Sequence, residues 1–174
     1  HQAQVSKIAK QAGVADGTIY LYFKNKEDIL ISLFEEKMGE FVEKIEDEIA
    51  GVKSASEKLS LLINKHFDIL SSDPHLAIVT QLELRQSNKE LRLKINDVLK
   101  GYLALVDSVL REGMENGEFK SDLNYKLARQ MIFGTLDEIV TTWVMNEQKY
   151  QLQSLSDDIH NLIIAGLAQA EKKS

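Results

Sequence analysis

Thr18, Tyr20 and Tyr22 place hydroxyls and aromatic edges along one short stretch, and Lys24 and Lys26 follow with ammonium groups. Such groups hold phosphate oxygens and touch base edges. The two lysines flank the predicted start of a long helix, whose free amides and positive dipole end also attract a phosphate. Taken singly, each lysine reads better as a solvated side chain. Beside the hydroxyl-bearing stretch, the pair points to a nucleic-acid surface.

A second group lies far along the chain. Arg85, Lys89, Arg92 and Lys94 gather around Ser87 and Asn88 at a predicted helix start, and Arg129 sits on a mostly apolar helix. Cations and helix amides together suit phosphates. The same residues read equally as a solvated face, with Glu90 and Lys94 forming an i,i+4 pair. Leu84, Met131, Phe133, Ile139 and Trp143 suit an apolar tunnel, although a stripe of this kind at helical spacing is more often plain core. His66, on another apolar stripe, reads as a hydrogen-bonded core residue rather than a ligand contact.

The requirements of an enzyme are missing from the sequence. There is no G-x-S-x-G elbow, no Gly-rich phosphate loop and no H-E-x-x-H, and His1, His66, His75 and His160 are scattered without metal spacing. Asp137 and Glu138 are adjacent and point apart on a helix. The reading is therefore of a binding protein without catalytic residues, metal or cofactor.

The elements that must position these groups are helices. The 174 residues hold one Pro and nine Gly, with 44% hydrophobic and 28% charged side chains, so nothing supplies frequent strand-ending turns. An all-α fold is expected. Cys is absent, which removes disulfides and thiolate ligands and fits a reducing cytoplasm. Neither a membrane-length apolar run nor a leader is visible. The net charge of −6 argues against indiscriminate coating of nucleic acid. Through Leu30, however, four basic residues face three acidic ones, so DNA contact belongs to the N-terminal end.

Short helices are predicted near Val5 to Ala12 and Asp16 to Tyr22, with Gly13 in the turn between them. Asn25 and Asp28 cap a long helix with Leu30, Phe34, Met38, Phe41, Ile45 and Ile49 on one face, ending at Gly51. Ser54 with Glu57, Asp73 with Pro74, and Ser87 with Glu90 mark further helix starts. The helix from Ser87 carries Leu91, Ile95, Val98, Tyr102, Val106 and Val109 to an Asn116-Gly117 turn. Two more follow, one bearing Leu127, Met131, Leu136, Ile139 and Trp143. The other, capped near Ser154 or Ser156, bears Leu155, Ile159, Leu162, Ile163 and Gly166.

A helix-turn-helix needs a small residue where its helices cross, a permissive turn, and apolar pins. Ala9, Gly13, Val14 and Ile19 stand at that spacing. A plain helical hairpin satisfies the same spacing. The run "VSKIAKQAGVADGTIYLYFKNKEDIL", Val5 to Leu30 without a gap, resembles the DNA-binding signature of the TetR family. The resemblance implies that Asp16, Gly17 and Tyr20 lie against bases while Thr18, Tyr22 and Lys26 hold phosphates. It adds Ser6 as a further base or phosphate contact. Ala15 stands where the family often has Ser or Thr, which leaves Asp16 to cap the recognition helix. The family also opens with a helix beneath the helix-turn-helix, and that helix is expected before His1.

The stretches "LAIVTQLELRQSNKELRLKIN" and "LARQMIFGTLDEIVTTWVMN" resemble the fatty-acid-degradation regulators of Gram-positive bacteria. This likeness implies a repressor released by long-chain acyl-coenzyme A. Residues 1–25 would read DNA, 26–50 would connect, and 51–174 would bind effector and dimerise. Gly134, Ala165, Gly166 and Ala168 suit close packing of the last two helices across a two-fold axis, giving a homodimer on a palindromic operator. A regulator of another hydrophobic ligand and a helical lipid carrier are the alternatives. A carrier would ignore DNA.

Overall fold

The computed structural model describes residues 2–83 and 89–169, with side chains described for 5–15, 17–82 and 89–169. It begins with α1 (Gln2–Ala12) and α2 (Asp16–Tyr22). Gly13 turns the chain at φ +71°, a left-handed value that costs glycine little. Val14 N donates to Ala9 O at 3.0 Å and Gly13 N to Lys10 O at 3.3 Å, closing α1 with a Schellman motif. Ala9, fully buried, packs with Val5 and Ile19 in a small core joined by Phe23 and Ile29. Val14 is not among these pins. It is 41% exposed, because its role in the turn is carried by its backbone amide.

The helix α3 (Lys26–Ile49) is about 36 Å long at 1.5 Å per residue, and it touches every core cluster. Ile29 joins the helix-turn-helix core, Ile31 and Phe34 pack with Leu91, and Phe41, Ile45 and Ile49 enter the main core. Asn25 Oδ1 accepts from Asp28 N at 2.8 Å, the cap expected from the sequence. This rigid helix is the route from one end of the molecule to the other.

The main core is built by α4 (Ala55–Ser72), α6 (Lys89–Glu115), α7 (Tyr125–Met145) and α8 (Ser156–Leu167) around the end of α3. Ser54 accepts from Glu57 N, as expected, but the α4 start has a second cap. Glu118 accepts from Ala55 N at 2.9 Å, Ser56 N at 3.0 Å and the Ser54 hydroxyl at 2.7 Å. These donors hold its carboxyl below the usual range against the opposing effect of desolvation. Gly113 lets the Phe119 ring lie against α6 where any Cβ would collide with it. Beyond Phe119, Lys120 N donates to Leu167 O at 2.9 Å and ties the turn to the end of α8.

Between α4 and α6 lie α5 (Pro74–Ile78) and a π-helical turn over Val79–Glu83. Asp73 caps α5 by accepting from Leu76 N at 3.0 Å, with Pro74 in the first turn. A 3₁₀ turn, Leu152–Leu155, precedes α8.

Two expected stripes differ from the observed ones. The inward face of α7 is Ala128, Ile132, Leu136, Val140, Trp143 and Val144, so Leu127 and Met131 lie outside it and are exposed. On α8, Ile159 and Ile163 point inward while Leu162 is 77% exposed. Both helices carry apolar residues on more than one face, and period alone does not say which face turns inward. Nor does a serine cap α8: Leu155 occupies the cap position without a side-chain bond, and Ser156 is buried in the first turn. The Ser87 cap lies outside the described residues. Among those described, no helix is long and apolar enough to cross a membrane.

Candidate functional site

Ile19 anchors α2 inward, and this single anchor turns the rest of the short helix to solvent. Gly17, Tyr20, Leu21 and Tyr22 are exposed, Thr18 is half-buried, and Lys24 is exposed just beyond the helix end. Lys26 and Ser6 are half-buried beside them. The helix starts without a side-chain cap at Ala15, and Thr18 N reaches Ala15 O at 2.9 Å. Asp16 occupies the first helical position, and its side chain lies outside those described. The structure thus gathers Gly17, Thr18, Tyr20 and Tyr22 on one short helix with Lys24 just beyond its end, an element of a size that enters a major groove. Sequence reasoning passed over Leu21, an 81% exposed leucine whose only signal was its place between two tyrosines.

The second site is a cavity of about 420 Å³ walled by five helices and the π-helical turn. Phe34, Lys37, Met38 and Phe41 come from α3, and His66 and Leu70 from α4. Leu76, Thr80 and Gln81 come from α5 and the turn after it. Arg92, Ile95, Asn96, Leu99 and Tyr102 line it from α6, with Phe133 and Asp137 from α7. The exposed area of the wall is mostly apolar, while eight of its sixteen residues carry polar or charged groups, a combination that suits an amphipathic ligand.

Local bonds explain how those polar groups are held. In the π-helical turn the Thr80 hydroxyl donates to Leu76 O at 2.9 Å and Ala77 O at 3.2 Å. Thr141 donates to Gln81 Oε1 at 2.8 Å, fixing the turn to α7. A π turn widens the helix and is common at binding sites. His66 Nδ1 pairs with the Tyr102 hydroxyl at 2.9 Å, and Phe41 meets both rings edge-on. Burial pushes His66 down to about 3, so it is neutral at physiological pH. Burial first, and then the charge of Asp137, push Tyr102 up. Lys37 pairs with Glu40 at 3.0 Å, which raises it above its ordinary value.

Of the ligand residues expected from sequence, Arg92 and Phe133 line this cavity. Leu84 and Arg85 lie outside the described residues. Lys89 is exposed in the first turn of α6, away from the cavity wall. Lys94 pairs with Asp28 at 3.6 Å and Glu90 at 3.8 Å. Arg129 donates to Asp107 at 2.8 Å across the α6–α7 contact, because that carboxylate is its nearest charge partner. Met131 is on the outer face of α7, and Ile139 packs half-buried against the main core. Trp143 belongs to that core, its indole N–H satisfied by Tyr150 O at 2.8 Å. His66 has the hydrogen bond expected of it and also lines the cavity. The lining residues missed include four from α3 and four from α6: Phe34, Met38 and Phe41 were legible as a stripe, as were Ile95 and Tyr102, but a stripe facing a cavity looks the same as one facing core.

Comparison with known proteins places these sites in context. Residues 1–33 match "Bacterial regulatory proteins, tetR family", and residues 34–166 match "YsiA-like protein, C-terminal region". The chain is 66% identical over 167 residues to the fatty acid metabolism regulator protein of Bacillus subtilis, covering 96% of this chain and 86% of that protein. It superposes with a TM-score of 0.90 on the crystal structure of the transcriptional regulator FadR from Bacillus subtilis in complex with stearoyl-CoA. That match is 66% identical and covers 93% of this chain and 87% of the other. The fatty acid degradation regulator FadR from Bacillus halodurans matches equally, at TM-score 0.90 and 64% identity, over 96% of this chain and 90% of that one. The all-helical fold, the exposed second helix and these matches together make this chain a member of the TetR family of bacterial regulatory proteins.

Proposed function

We propose that this protein is a TetR-type repressor of fatty acid degradation genes that leaves its operator when long-chain acyl-coenzyme A fills the cavity between α3, α4, α6 and α7. The observation that carries this reading is the apolar cavity of about 420 Å³, in a chain 66% identical to a regulator seen with stearoyl-CoA. In this reading Phe34, Phe41, Leu99 and Phe133 bury the acyl chain, and Arg92 at the α6 start binds the coenzyme A phosphates. The role is binding, without a catalytic step or a cofactor.

The DNA-reading unit is residues 1–25, joined by 26–50 to the effector unit at 51–174. Asp16, Gly17 and Tyr20 are assigned to bases, Thr18, Tyr22, Lys24 and Lys26 to phosphates, and Ser6 to a base or a phosphate. A homodimer is supported by the exposed Leu127, Met131 and Leu162 and the small, exposed Gly134, Ala165 and Gly166 on the same two helices. Two copies set their recognition helices into successive major grooves of a palindrome. Switching from mostly bound to mostly released takes on the order of 10⁴-fold differential binding, within reach of an acyl chain and phosphates together.

Fragments of the source genome retained by the protein at fixed salt, with and without stearoyl-CoA, test this reading. Selective retention reversed by stearoyl-CoA is expected. Retention that persists indicates a different effector, and failure to retain any fragment indicates a lipid carrier.

A further inference from the structure

Asp28 stands where the recognition helix gives way to α3, and its two carboxylate oxygens face different elements. Oδ2 accepts from the backbone N–H of Lys24 at 3.1 Å, fixing the short link between α2 and α3. Oδ1 lies 3.6 Å from Lys94 Nζ, on α6. Its own backbone N–H is held by the Asn25 cap at 2.8 Å. One side chain therefore joins the base of the DNA-reading unit to the helix that walls the cavity.

Helical spacing puts Arg92, Ile95, Asn96 and Leu99 on one face of α6, and these line the cavity. Leu91, Lys94 and Val98 form the neighbouring face, about 100° around the helix. That second face meets the start of α3, where Leu91 packs with Ile31 and Phe34 and Val98 lies against the same cluster. Phe34 belongs to both, since it also lines the cavity. A displacement of the first turns of α6 by a ligand is thus delivered to the start of α3, through packing below and the Lys94 charge above. Lys94 also has two carboxylates at nearly equal range, Asp28 at 3.6 Å and Glu90 of its own helix at 3.8 Å. Lys94 bridges both at once, so a shift of α6 that lengthens the Asp28 contact leaves it the Glu90 carboxylate of its own helix.

Resting on the repressor reading above, we infer that the Asp28–Lys94 contact couples occupancy of the cavity to the position of the recognition helix. An ion pair this exposed contributes little to stability, so its effect belongs to the difference between the two states. Neither residue touches the cavity, and both act as positioning residues.

The test is a double-mutant cycle on the intact protein, read as the ratio of operator Kd with and without saturating stearoyl-CoA. Lys94→Gln and Asp28→Asn, the latter keeping an oxygen for Lys24 N, are each expected to lower that ratio roughly three- to five-fold. Stearoyl-CoA affinity without DNA stays as in the wild type, Lys94→Arg keeps the wild-type ratio, and the double variant loses no more than either single one. If the wild type is released and both variants are released equally well, or if their losses simply add, the coupling is overturned while the repressor reading stands. A wild type that stearoyl-CoA does not release overturns both.

Discussion

The Tyr102 hydroxyl and His66 Nδ1 lie 2.9 Å apart in the wall of the cavity, a polar pair set among Phe41, Phe67 and Phe133. Phe41 and Phe67 meet the imidazole edge-on, and its burial among these rings favours the neutral form.

That neutrality has a pH signature. Unfolded, His66 takes up a proton below its ordinary 6.5, whereas folded it stays neutral down to about 3. Its contribution to stability is full above pH 6.5 and is lost as pH falls toward 3, at about 1.4 kcal/mol per pH unit. Urea unfolding at pH 7.5 and 5.0 is expected to differ by about 2 kcal/mol from this group. His66→Gln removes that share of the slope. Parallel pH curves for wild type and variant would contradict the assignment.

Arg129 and Arg92 separate structure from recognition. The Arg129–Asp107 side chains are only 24% and 19% exposed, and Asp107 Oδ1 is buried without a hydrogen-bond partner among the described residues. Arg129→Ala is expected to lower stability by about 1–3 kcal/mol while stearoyl-CoA affinity changes less than two-fold. Arg92→Ala should do the reverse, weakening stearoyl-CoA roughly ten- to a hundred-fold with an unchanged melting temperature. Calorimetry and thermal melts on the two variants read both quantities.

Arg129 stood out as a cation on an apolar helix, and nothing in one dimension shows that Asp107 waits on the neighbouring helix. Caps were legible because the bonded atoms are three residues apart: Asn25 with Asp28, Ser54 with Glu57, Asp73 with Leu76. The Glu118 cap on α4, spanning more than sixty residues, left no local trace. The same limit hid the cavity. Phe34, Phe41, Leu99 and Tyr102 are at helical spacing on their own helices, and only the packing of α3 against α6 decides whether they meet each other or enclose a space.

Chain length should be read by burial. Each added CH₂ contributes about 0.8 kcal/mol, so palmitoyl-CoA should bind about 200-fold tighter than lauroyl-CoA. Isothermal titration of both ligands measures the ratio. Equal affinities would mean that the acyl chain stays outside the apolar wall.

On the DNA side, Lys24→Ala is expected to weaken operator and non-specific DNA alike and to reduce the slope of log K against log salt by about one. Tyr20→Ala should instead cost specificity, narrowing the gap between operator and scrambled duplex by about 1–3 kcal/mol. A salt series on both duplexes separates the two outcomes.

The central claim, that acyl-coenzyme A bound in this one cavity releases the operator, is tested by titrating labelled operator complexes with stearoyl-CoA while following anisotropy. The wild type and Leu99→Trp, whose indole takes up part of the space the acyl chain needs, are compared at equal initial operator affinity. The wild type is predicted to dissociate, while Leu99→Trp holds the operator at concentrations that release the wild type. Equal release of both would place the effector somewhere other than this cavity and contradict the account.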